Sequence, residues 1–537
     1  MKKTAIAFLA ALCSTAQAQE PGWAAPPKLV VGIVVDQMRV DFLYRYWDNF
    51  GEDGFRRLVR EGSFQRDAHF NYAPTQTAPG HASIYTGTTP SRHGIVANHP
   101  YDRAARRTYY IALDTAVSAV GTNSRKALRS PVNLLASTLA DELELRTDGR
   151  ARTVGVALKD RSAIMPMGRM GDEAYWFVGG DEGKFVTSSW YADALPQWLE
   201  QFNARQLPAK YLTGTWDLLL PRERYHSPLP DRNPYEEDWA EGLPAVLPLD
   251  LSRLGGQGKD QDAIKGTPWG STLTADLAIA AIDGDSLGMD EVPDLLAVSF
   301  SSLDELQHAM GPRALEVEDA YIRLDRELAR ILNHLDQRVG AGRYTLFLTA
   351  DHGGGDVPAY LHDRKGSAGY TPMAQLRNAL SEAGLGDLVD TIKNDQVYLR
   401  RNAPPGTGDA VANVLNRLPG VAYAASADQL LNEPAGHGLA RFMANGLMPP
   451  RCGDVLFALH PGFFRSHPQW DGKGADHATA WNYDTHVPVI FFGKGIAPGE
   501  VLQRTWITDL APTVCAILGM ALPNAADGRV VPEVLLR

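Results

Sequence analysis

The sequence predicts a doubly wound α/β fold, with a mostly parallel central sheet and helices on both of its faces. Five short runs are almost continuously apolar, which suits strands that are buried on both sides. Amphipathic runs lie between them, as expected where helices connect the strands. The predicted strands are Leu29–Val35, Thr153–Leu158, Leu295–Phe300, Tyr344–Thr349 and Val487–Phe492, and the predicted helices are Phe55–Arg60, Leu134–Leu145, Leu273–Ile282, Ala314–Leu335 and Met373–Ala383.

Two stretches interrupt this alternation of strands and helices. Residues 177–270 are rich in Trp, Tyr, Pro and Asp, which predicts an irregular segment that lies over the sheet. Residues 400–470 contain a predicted short helix, Asp409–Leu418, and the strand-like run DVLFALHPG. We interpret both stretches as insertions into a single domain of residues 19–537.

The first 18 residues have the pattern of a secretory signal peptide. A Lys-Lys pair at positions 2 and 3 precedes an apolar stretch over residues 5–12, and AQA at 16–18 precedes Gln19. The apolar stretch is too short to span a bilayer. We therefore expect a bacterial protein that is periplasmic or secreted, with no membrane anchor in its mature form.

Composition excludes nucleic acid as a partner. The chain has 52 Lys and Arg against 63 Asp and Glu, a net charge of -11, and the loss of Lys2 and Lys3 makes the mature chain more acidic. Nucleic-acid binding needs clustered basic residues that neutralise phosphates.

Cys452 and Cys515 are too few for a disulfide framework, and the sequence leaves open whether they pair.

Side chains that bind metals lie at the ends of the predicted strands. They are Asp36 after the first strand, Asp304 and His308 after the third, Asp351 and His352 after the fourth, and His486 before the fifth. An open α/β sheet places its reactive groups where strands end. Each residue alone is a common turn or capping residue, but three carboxylates and three imidazoles suit two zinc ions with three ligands each.

A threonine-rich segment lies between the first two of these positions. It reads Thr75-Gln-Thr77-Ala-Pro-Gly-His81, and Pro79 favours a first helical turn here. A hydroxyl at a helix N-terminus beside a metal ionises more easily, because both positive fields favour the alkoxide. This predicts a nucleophilic threonine, with Thr77 favoured and Thr75 as its competitor.

The segment PTQTAPGHASIYTGTTPSRHGIVAN resembles the nucleophile segment of the alkaline phosphatase superfamily. Within it, the chain is most similar to the phosphate-irrepressible bacterial alkaline phosphatases that use threonine. The type I phosphodiesterase/nucleotide pyrophosphatase branch shares the same frame. The resemblance implies an alkaline phosphatase-like catalytic domain in which Thr77 is the nucleophile and Asn98 binds the phosphoryl group.

The resemblance also assigns the metal ligands to two zinc ions. It implies that one ion is held by Asp304, His308 and His486, and the other by Asp36, Asp351, His352 and Thr77. Gln307 departs from the family, in which many relatives have glycine before the histidine ligand. His308 is therefore expected to come from a different turn or from a regular helix. His477 is expected at most to orient a ligand.

The tripeptide Lys159-Asp160-Arg161 distinguishes the two branches. Lys159 and Arg161 are two positions apart, so they point the same way in an extended chain. Two cations that converge on one oxygen favour a phosphate monoester, because a diester has an alkyl or nucleoside group in place of that charged oxygen. The run KDRSAIMPMG is also similar to that of the monoesterase relatives.

Together these inferences predict an exported, zinc-dependent alkaline phosphatase. It would act as a monomer on small phosphate monoesters, through a phosphothreonine intermediate. A phosphodiesterase or nucleotide pyrophosphatase on the same frame is the alternative. A sulfatase would need Cys or Ser in place of Thr77 and a nearby arginine, and the substrates of the related phosphosugar mutases are rarely met outside the cell. A non-catalytic zinc-binding protein is a remote alternative.

Overall fold

The computed structural model describes residues 25–254, 260–432, 437–465 and 472–536. The predicted signal peptide lies outside these residues. The strands of the two larger sheets are, in chain order, β1 (Leu29–Val35), β2 (Ser63–Gln65), β3 (Ala119–Val120), β4 (Thr153–Ala157), β5 (Glu173–Val178), β6 (Lys184–Ser188), β7 (Asp294–Phe300), β8 (Tyr344–Thr349), β9 (Val389–Lys393), β10 (Gln396–Leu399), β11 (Val421–Ser426), β12 (Val455–Leu459), β13 (Val489–Gly493) and β14 (Gly499–Val501).

The larger sheet has ten strands in the order β14-β2-β13-β8-β1-β7-β4-β5-β6-β3. Its centre, from β8 to β5, is entirely parallel. Antiparallel pairs add β13 on one side and β6 on the other. Every residue of β1 is buried, as expected for a central strand that is covered on both faces. The predicted α/β fold with a mostly parallel sheet is confirmed.

All five predicted strands occur in this sheet. β1 and β8 have the predicted bounds, and the other three differ from prediction by one or two residues at an end. Continuous apolar runs located these strands well because a strand that is buried on both faces needs apolar side chains at every position.

The helices of eight or more residues in the described chain are α1 (Thr77–Thr86), α2 (Leu139–Thr147), α3 (Asp160–Met167), α4 (Gln197–Ala204), α5 (Pro268–Gly284), α6 (Ser302–Met310), α7 (Leu315–Leu335), α8 (Met373–Glu382), α9 (Thr407–Leu415), α10 (Leu439–Gly446) and α11 (Leu510–Leu518). Shorter helices include Asp41–Arg45, Phe55–Glu61, Pro90–His93, Leu207–Tyr211 and Pro358–Asp363. None of the described helices is both long and apolar enough to cross a membrane.

One helix begins later than the apolar pattern predicted. The prediction was Leu134–Leu145, but α2 starts at Leu139. Thr138 and Asp141 form a capping box there, in which each side chain accepts a hydrogen bond from the other residue's backbone NH. This cap satisfies amides at the helix start and fixes its first turn.

The smaller sheet is antiparallel, with the order β9-β10-β12-β11. It packs with α8 and α9 around its own apolar cluster, which includes Leu376, Val397, Val411 and Phe457. This unit starts at β9, before residue 400.

The other predicted insertion, 177–270, includes β6 of the large sheet. It then continues through α4 and two paired short strands, Thr215–Trp216 and Leu249–Asp250. Cys452 and Cys515 are both free and buried.

Helix α1 packs closely against the middle of β1, and Gly32 makes this possible. A Cβ atom at position 32 would overlap the Tyr85 hydroxyl of α1 and the Phe347 ring of β8. The rings of Tyr85 and Phe347 are themselves in contact, with centroids 5.7 Å apart. Gly32 therefore determines how near α1 can lie to the sheet.

We expect Gly32→Ala to lower the free energy of unfolding by about 1–3 kcal/mol, the usual cost of overpacking a core. Urea denaturation followed by circular dichroism measures this change. Gly266→Ala is the matched control, since nothing lies within 4 Å of a Cβ at that position. Its effect should stay within about 0.5 kcal/mol. Equal changes in both variants would contradict the close approach at Gly32.

Candidate active site

Three aspartates meet where three neighbouring strands end. Asp36 follows β1, Asp351 lies just beyond β8, and Asp304 is in the first turn of α6, which follows β7. Their exposed fractions are 0%, 0% and 4%. Because β8, β1 and β7 are adjacent and parallel, their C-terminal ends lie at one edge of the sheet. The structure therefore brings the three predicted carboxylates together.

Histidines join these carboxylates in two groups that share Asp304. In the first group, the ligand atoms of Asp304, His308 and His477 all lie within 4.8 Å of one another. The same is true of Asp36, Asp304 and His352 in the second. The Nε2 atom of His308 is 3.3 Å from Asp304 Oδ1, and that of His352 is 3.5 Å from Asp36 Oδ1.

The three histidines are oriented in the same way. In each, Nδ1 contacts a backbone carbonyl, namely Ala475 at 2.8 Å for His308, Gly353 at 2.9 Å for His352 and Thr75 at 2.8 Å for His477. A carbonyl only accepts hydrogen bonds, so Nδ1 carries a proton and Nε2 is the atom that remains for the carboxylates or for a metal. Metal-binding histidines commonly have such an outer partner.

The buried carboxylates of the cluster are electrostatically unfavourable unless positive charge lies among them. Burial, reinforced by Asp304 and Asp351, raises the pKa of Asp36 well above its ordinary value, and burial raises the pKa of Asp351 to about 7. Burial also opposes ionisation of Asp304, but Lys159 and His308 hold its pKa well below the usual range. The Lys159 ammonium is 2.7 Å from Asp36 Oδ2 and also contacts Asp304.

The donor set fits metal ions. Four buried atoms have no hydrogen-bond partner among the described residues, and they are Asp36 Oδ1, Asp304 Oδ1, Asp351 Oδ2 and His352 Nε2. Burial lowers the pKa of His352 to about 3, so its imidazole is neutral, the form that binds a metal. Such atoms are costly to bury alone, and a divalent cation would satisfy them.

His486 lies outside this cluster, so its predicted place as the third ligand beside Asp304 and His308 is wrong. Its ring stacks on His69 with centroids 4.3 Å apart, and its Nε2 contacts the Arg66 carbonyl at 2.9 Å. The physical reason is strand order. His486 precedes β13, which lies beyond β8 and pairs with β2, so this histidine meets the residues that follow β2.

His477 occupies the position expected for His486. Its ring stacks on His352 with centroids 3.7 Å apart, and its Nε2 is 3.8 Å from Asp304 Oδ1. Two hydrogen bonds hold its loop, from the Ala475 NH to the His308 carbonyl and from the Thr75 hydroxyl to the Thr479 carbonyl. One sequence signal was available, since Asp476-His477 repeats the Asp-His dipeptide at 351–352.

Helix α6 explains how His308 reaches the site despite the neighbouring Gln307. Asp304 and His308 lie one turn apart on this regular helix, so both face the cluster. The Gln307 side chain points to the end of β1, where its Nε2 donates to the Gln37 carbonyl at 3.2 Å. The bulkier residue thus ties α6 to the sheet without disturbing the ligand.

Thr77 is the first residue of α1, as the proline pattern predicted. Gly80, one turn later, lies against the end of β8, and a Cβ there would overlap the Asp351 carbonyl. Asn98 is held beside the same helix start, because its Oδ1 accepts the Ala78 NH at 2.9 Å. The Thr75 hydroxyl, by contrast, donates to Thr479. This geometry favours Thr77 over Thr75 as the reactive hydroxyl.

Lys159 and Arg161 do not lie on one extended strand, because α3 already begins at Asp160. Arg161 Nη2 lies 3.4 Å from Thr77 Oγ1, whereas Lys159 contacts Asp36 and Asp304. Both side chains still reach the site, but from different directions.

Two residues that the sequence did not indicate hold Arg161 in place. The Tyr110 hydroxyl donates to Asp160 and lies 3.4 Å from Arg161 Nη1. Asp160 also accepts a hydrogen bond from Arg129 Nε at 2.7 Å. Tyr110 and Arg129 come from a remote segment, and no local pattern relates them to Arg161.

The profile of the family described as type I phosphodiesterase / nucleotide pyrophosphatase matches residues 30–486. The chain therefore belongs to this family. The resemblance seen in the sequence is confirmed.

Among its relatives, the chain is 38% identical to a Myroides odoratus protein named calcium-transporting ATPase, covering 95% of each chain. It is 37% identical to the alkaline phosphatase PafA of Elizabethkingia meningoseptica, over 97% of this chain and 96% of the relative. A crystal structure of wild-type alkaline phosphatase PafA matches with a TM-score of 0.90 at 36% identity, over 96% of this chain and 100% of that one. The chain thus has an alkaline phosphatase-like fold.

We expect His477→Ala to weaken binding of a divalent metal by at least about 10-fold, since even the loss of an outer partner of a ligand costs 10–100-fold. His486→Ala should retain its metal, because that side chain contacts Arg66 and His69 instead. Elemental analysis after dialysis against a competing chelator measures this. Metal loss in His486→Ala with full retention in His477→Ala would contradict the geometry.

Proposed function

We propose that this protein is an exported, zinc-dependent alkaline phosphatase that hydrolyses phosphate monoesters through a phosphothreonine at Thr77. The observation that carries the proposal is the meeting of Thr77, Asn98 and Arg161 at the start of α1, beside the Asp and His cluster. Relatives named alkaline phosphatase support the reaction class. The pattern of residues 1–18 supports export, and we expect the mature protein to act as a monomer.

The ligand assignment that we propose keeps the first group of the structure and, in the second, gives the place of the shared Asp304 to Asp351, whose Oδ2 is 3.7 Å from His352 Nε2. Asp304, His308 and His477 would hold one zinc ion, and Asp36, Asp351 and His352 the other, together with Thr77. Nitrogen and oxygen donors in sets of three are typical of catalytic zinc sites with an open position. When bound, such ions favour the alkoxide of Thr77 and stabilise the charge of the leaving oxygen.

The chain's own residues account for the rest of the reaction. Thr77 Oγ1 attacks phosphorus, the bond from phosphorus to the ester oxygen breaks, and an alcohol leaves. Water then attacks phosphorus, the bond from phosphorus to Thr77 Oγ1 breaks, and inorganic phosphate leaves while Oγ1 regains a proton. The dipole of α1 attracts the negative phosphoryl oxygens to its N-terminus. The Arg161 guanidinium offers paired donors to the same group.

Asn98 would contribute one further donor. Its amide oxygen is already engaged by the Ala78 NH, and its backbone NH donates to Gln76 Oε1 at 2.8 Å. The part of its side chain that can serve a phosphoryl oxygen is therefore the NH2 group. Both contacts hold that amide beside Thr77 before substrate arrives, which lowers the entropy cost of binding.

The preference for a monoester rests on Lys159 and Arg161. Both are cations at the site. Burial lowers the pKa of Lys159, but Asp304 and Asp36 raise it. Burial also lowers the pKa of Arg161, but Tyr110 and Asp160 raise it. A monoester has one more charged oxygen than a diester, so two cations bind it selectively. The family description favours a phosphodiesterase as the second candidate, and comparing the turnover of both substrates separates the two.

We expect acid-quenched protein to yield a phosphopeptide that contains residues 75–81, phosphorylated at Thr77. Thr77→Ala should lose the phosphopeptide and at least about 100-fold in kcat, because no other hydroxyl replaces the nucleophile. Thr77→Ser keeps a hydroxyl and should form a phosphoserine. Thr75→Ala, the control, loses one hydrogen bond, worth about 1 kcal/mol. Abolished activity in Thr75→Ala with normal activity in Thr77→Ala would identify Thr75 as the nucleophile.

We expect Lys159→Ala and Arg161→Ala to slow monoester hydrolysis by roughly 10- to 100-fold, and diester hydrolysis much less. The reason is that only a contact with the charge that distinguishes the monoester's transition state changes the preference. Steady-state kcat/KM on an aryl phosphate and on its diester measures this. The double variant should lose more than either single variant, though not additively. Equal losses on both substrates would contradict the monoesterase assignment.

A further inference from the structure

Gln37 has an unusual backbone conformation directly after Asp36 of the Asp and His cluster. Its φ is 63°, in the left-handed region, which residues with a side chain seldom occupy. The residue belongs to a tight turn that ends β1, in which the Met38 NH donates to the Val35 carbonyl at 3.2 Å. Glycine or asparagine usually fills a third turn position with positive φ. A glutamine held there, with 0% of its surface exposed, indicates that its surroundings impose the conformation.

The backbone of Gln37 contacts both halves of the cluster. Its NH donates to Asp351 Oδ1 at 3.2 Å. Its carbonyl accepts a hydrogen bond from Gln307 Nε2 at 3.2 Å, and Gln307 lies on α6, the helix that carries Asp304 and His308. Rotation about φ turns the NH and the carbonyl of a residue relative to each other, so making both contacts depends on the left-handed value.

The contact with Asp351 decides which of its oxygens faces the neighbouring histidine. Oδ1 receives the Gln37 NH, whereas Oδ2 lies 3.7 Å from His352 Nε2. Because the NH holds one oxygen, the plane of the carboxylate is fixed and the other oxygen stays beside His352. Outer partners of this kind commonly orient metal ligands.

The side chain of Gln37 packs against the glycine-rich loop that follows His352. A Cβ at position 354 would lie 2.2 Å from Gln37 Nε2, so the loop comes this near only because Gly354 has no side chain. The side chain therefore fills space beside the loop, while the contacts with Asp351 and α6 come from the backbone. Variants can separate these two contributions.

We propose that Gln37 is a positioning residue of the metal site, whose left-handed conformation sets the placement of Asp351 relative to α6. With a negative φ, either the NH would turn away from Asp351 or the carbonyl would turn away from Gln307. The ligands on the two sides would then lose their common support. The inference rests on the metal binding proposed above, but it does not depend on the phosphatase reaction.

The test compares variants of the full mature protein loaded with Co²⁺, an ion that binds the same kinds of donor as zinc and whose visible spectrum reports ligand geometry. Gln37→Val should weaken cobalt binding by about 10- to 100-fold and shift the spectrum, because a β-branched side chain strongly disfavours the left-handed region. Gln37→Gly adopts that region freely, so its affinity should stay within about 3-fold of wild type, with an unchanged spectrum.

Gln206→Val is the matched control. Gln206 is also a glutamine with a left-handed φ, of 50°, but it is exposed and lies between α4 and the short helix Leu207–Tyr211. The same substitution therefore introduces the same kind of backbone strain away from the cluster. It should lower the melting temperature without changing the cobalt affinity or the spectrum.

A cobalt affinity and spectrum of Gln37→Val that match wild type overturn the positioning role. Equal losses in Gln37→Val and Gln37→Gly also overturn it, because the side chain and not the conformation would then matter. If Gln37→Val does not fold, Gln37→Ala replaces it, since alanine also disfavours a positive φ but is less strained. Wild-type protein that binds no cobalt would overturn the proposed metal assignment together with this inference.

Discussion

The mutual repulsion of three buried carboxylates is the constraint around which this site is built. Asp36, Asp304 and Asp351 lie at the ends of adjacent parallel strands, and their side chains are almost fully buried. Two like charges 4 Å apart repel by about 4 kcal/mol at an effective dielectric constant of 20. Positive charge among them relieves this repulsion. Lys159, His308 and, in our proposal, two metal ions supply it.

The same constraint explains why several neighbouring groups face inward as they do. Backbone carbonyls hold Nδ1 of His308, His352 and His477, so that each ring presents Nε2 to the acids. Arg161 reaches the start of α1 from the other side, where Tyr110 and Asp160 support it. The cluster and the groups that we propose bind phosphate are thus two parts of one charge arrangement. The acids attract cations, and the cations in turn attract an anionic ester.

The sequence predicted the features that depend on local composition. It did not predict the features that depend on contacts between distant segments. β1 and β8 follow from apolar runs alone, and Asp36 and Asp351 follow from their position after those strands. The choice between His477 and His486 could not be made in this way. It depends on the position of β13 beyond β8 and on the contacts of the 475–479 loop with Thr75 and His308. Similarly, the capping box at Thr138 makes α2 begin later than the apolar pattern predicted.

The order of strands in the sheet has a consequence for how the protein matures. Leu29 of β1 pairs with Asp294 of β7 and with Tyr344 of β8, and His477 joins the site from still further along the chain. Such non-local pairing makes folding slow, because long loops must close before their contacts are gained. No early portion of the nascent chain contains a complete set of ligands. The metal ions that we propose would therefore bind among the last events of maturation and would stabilise a structure that is already assembled.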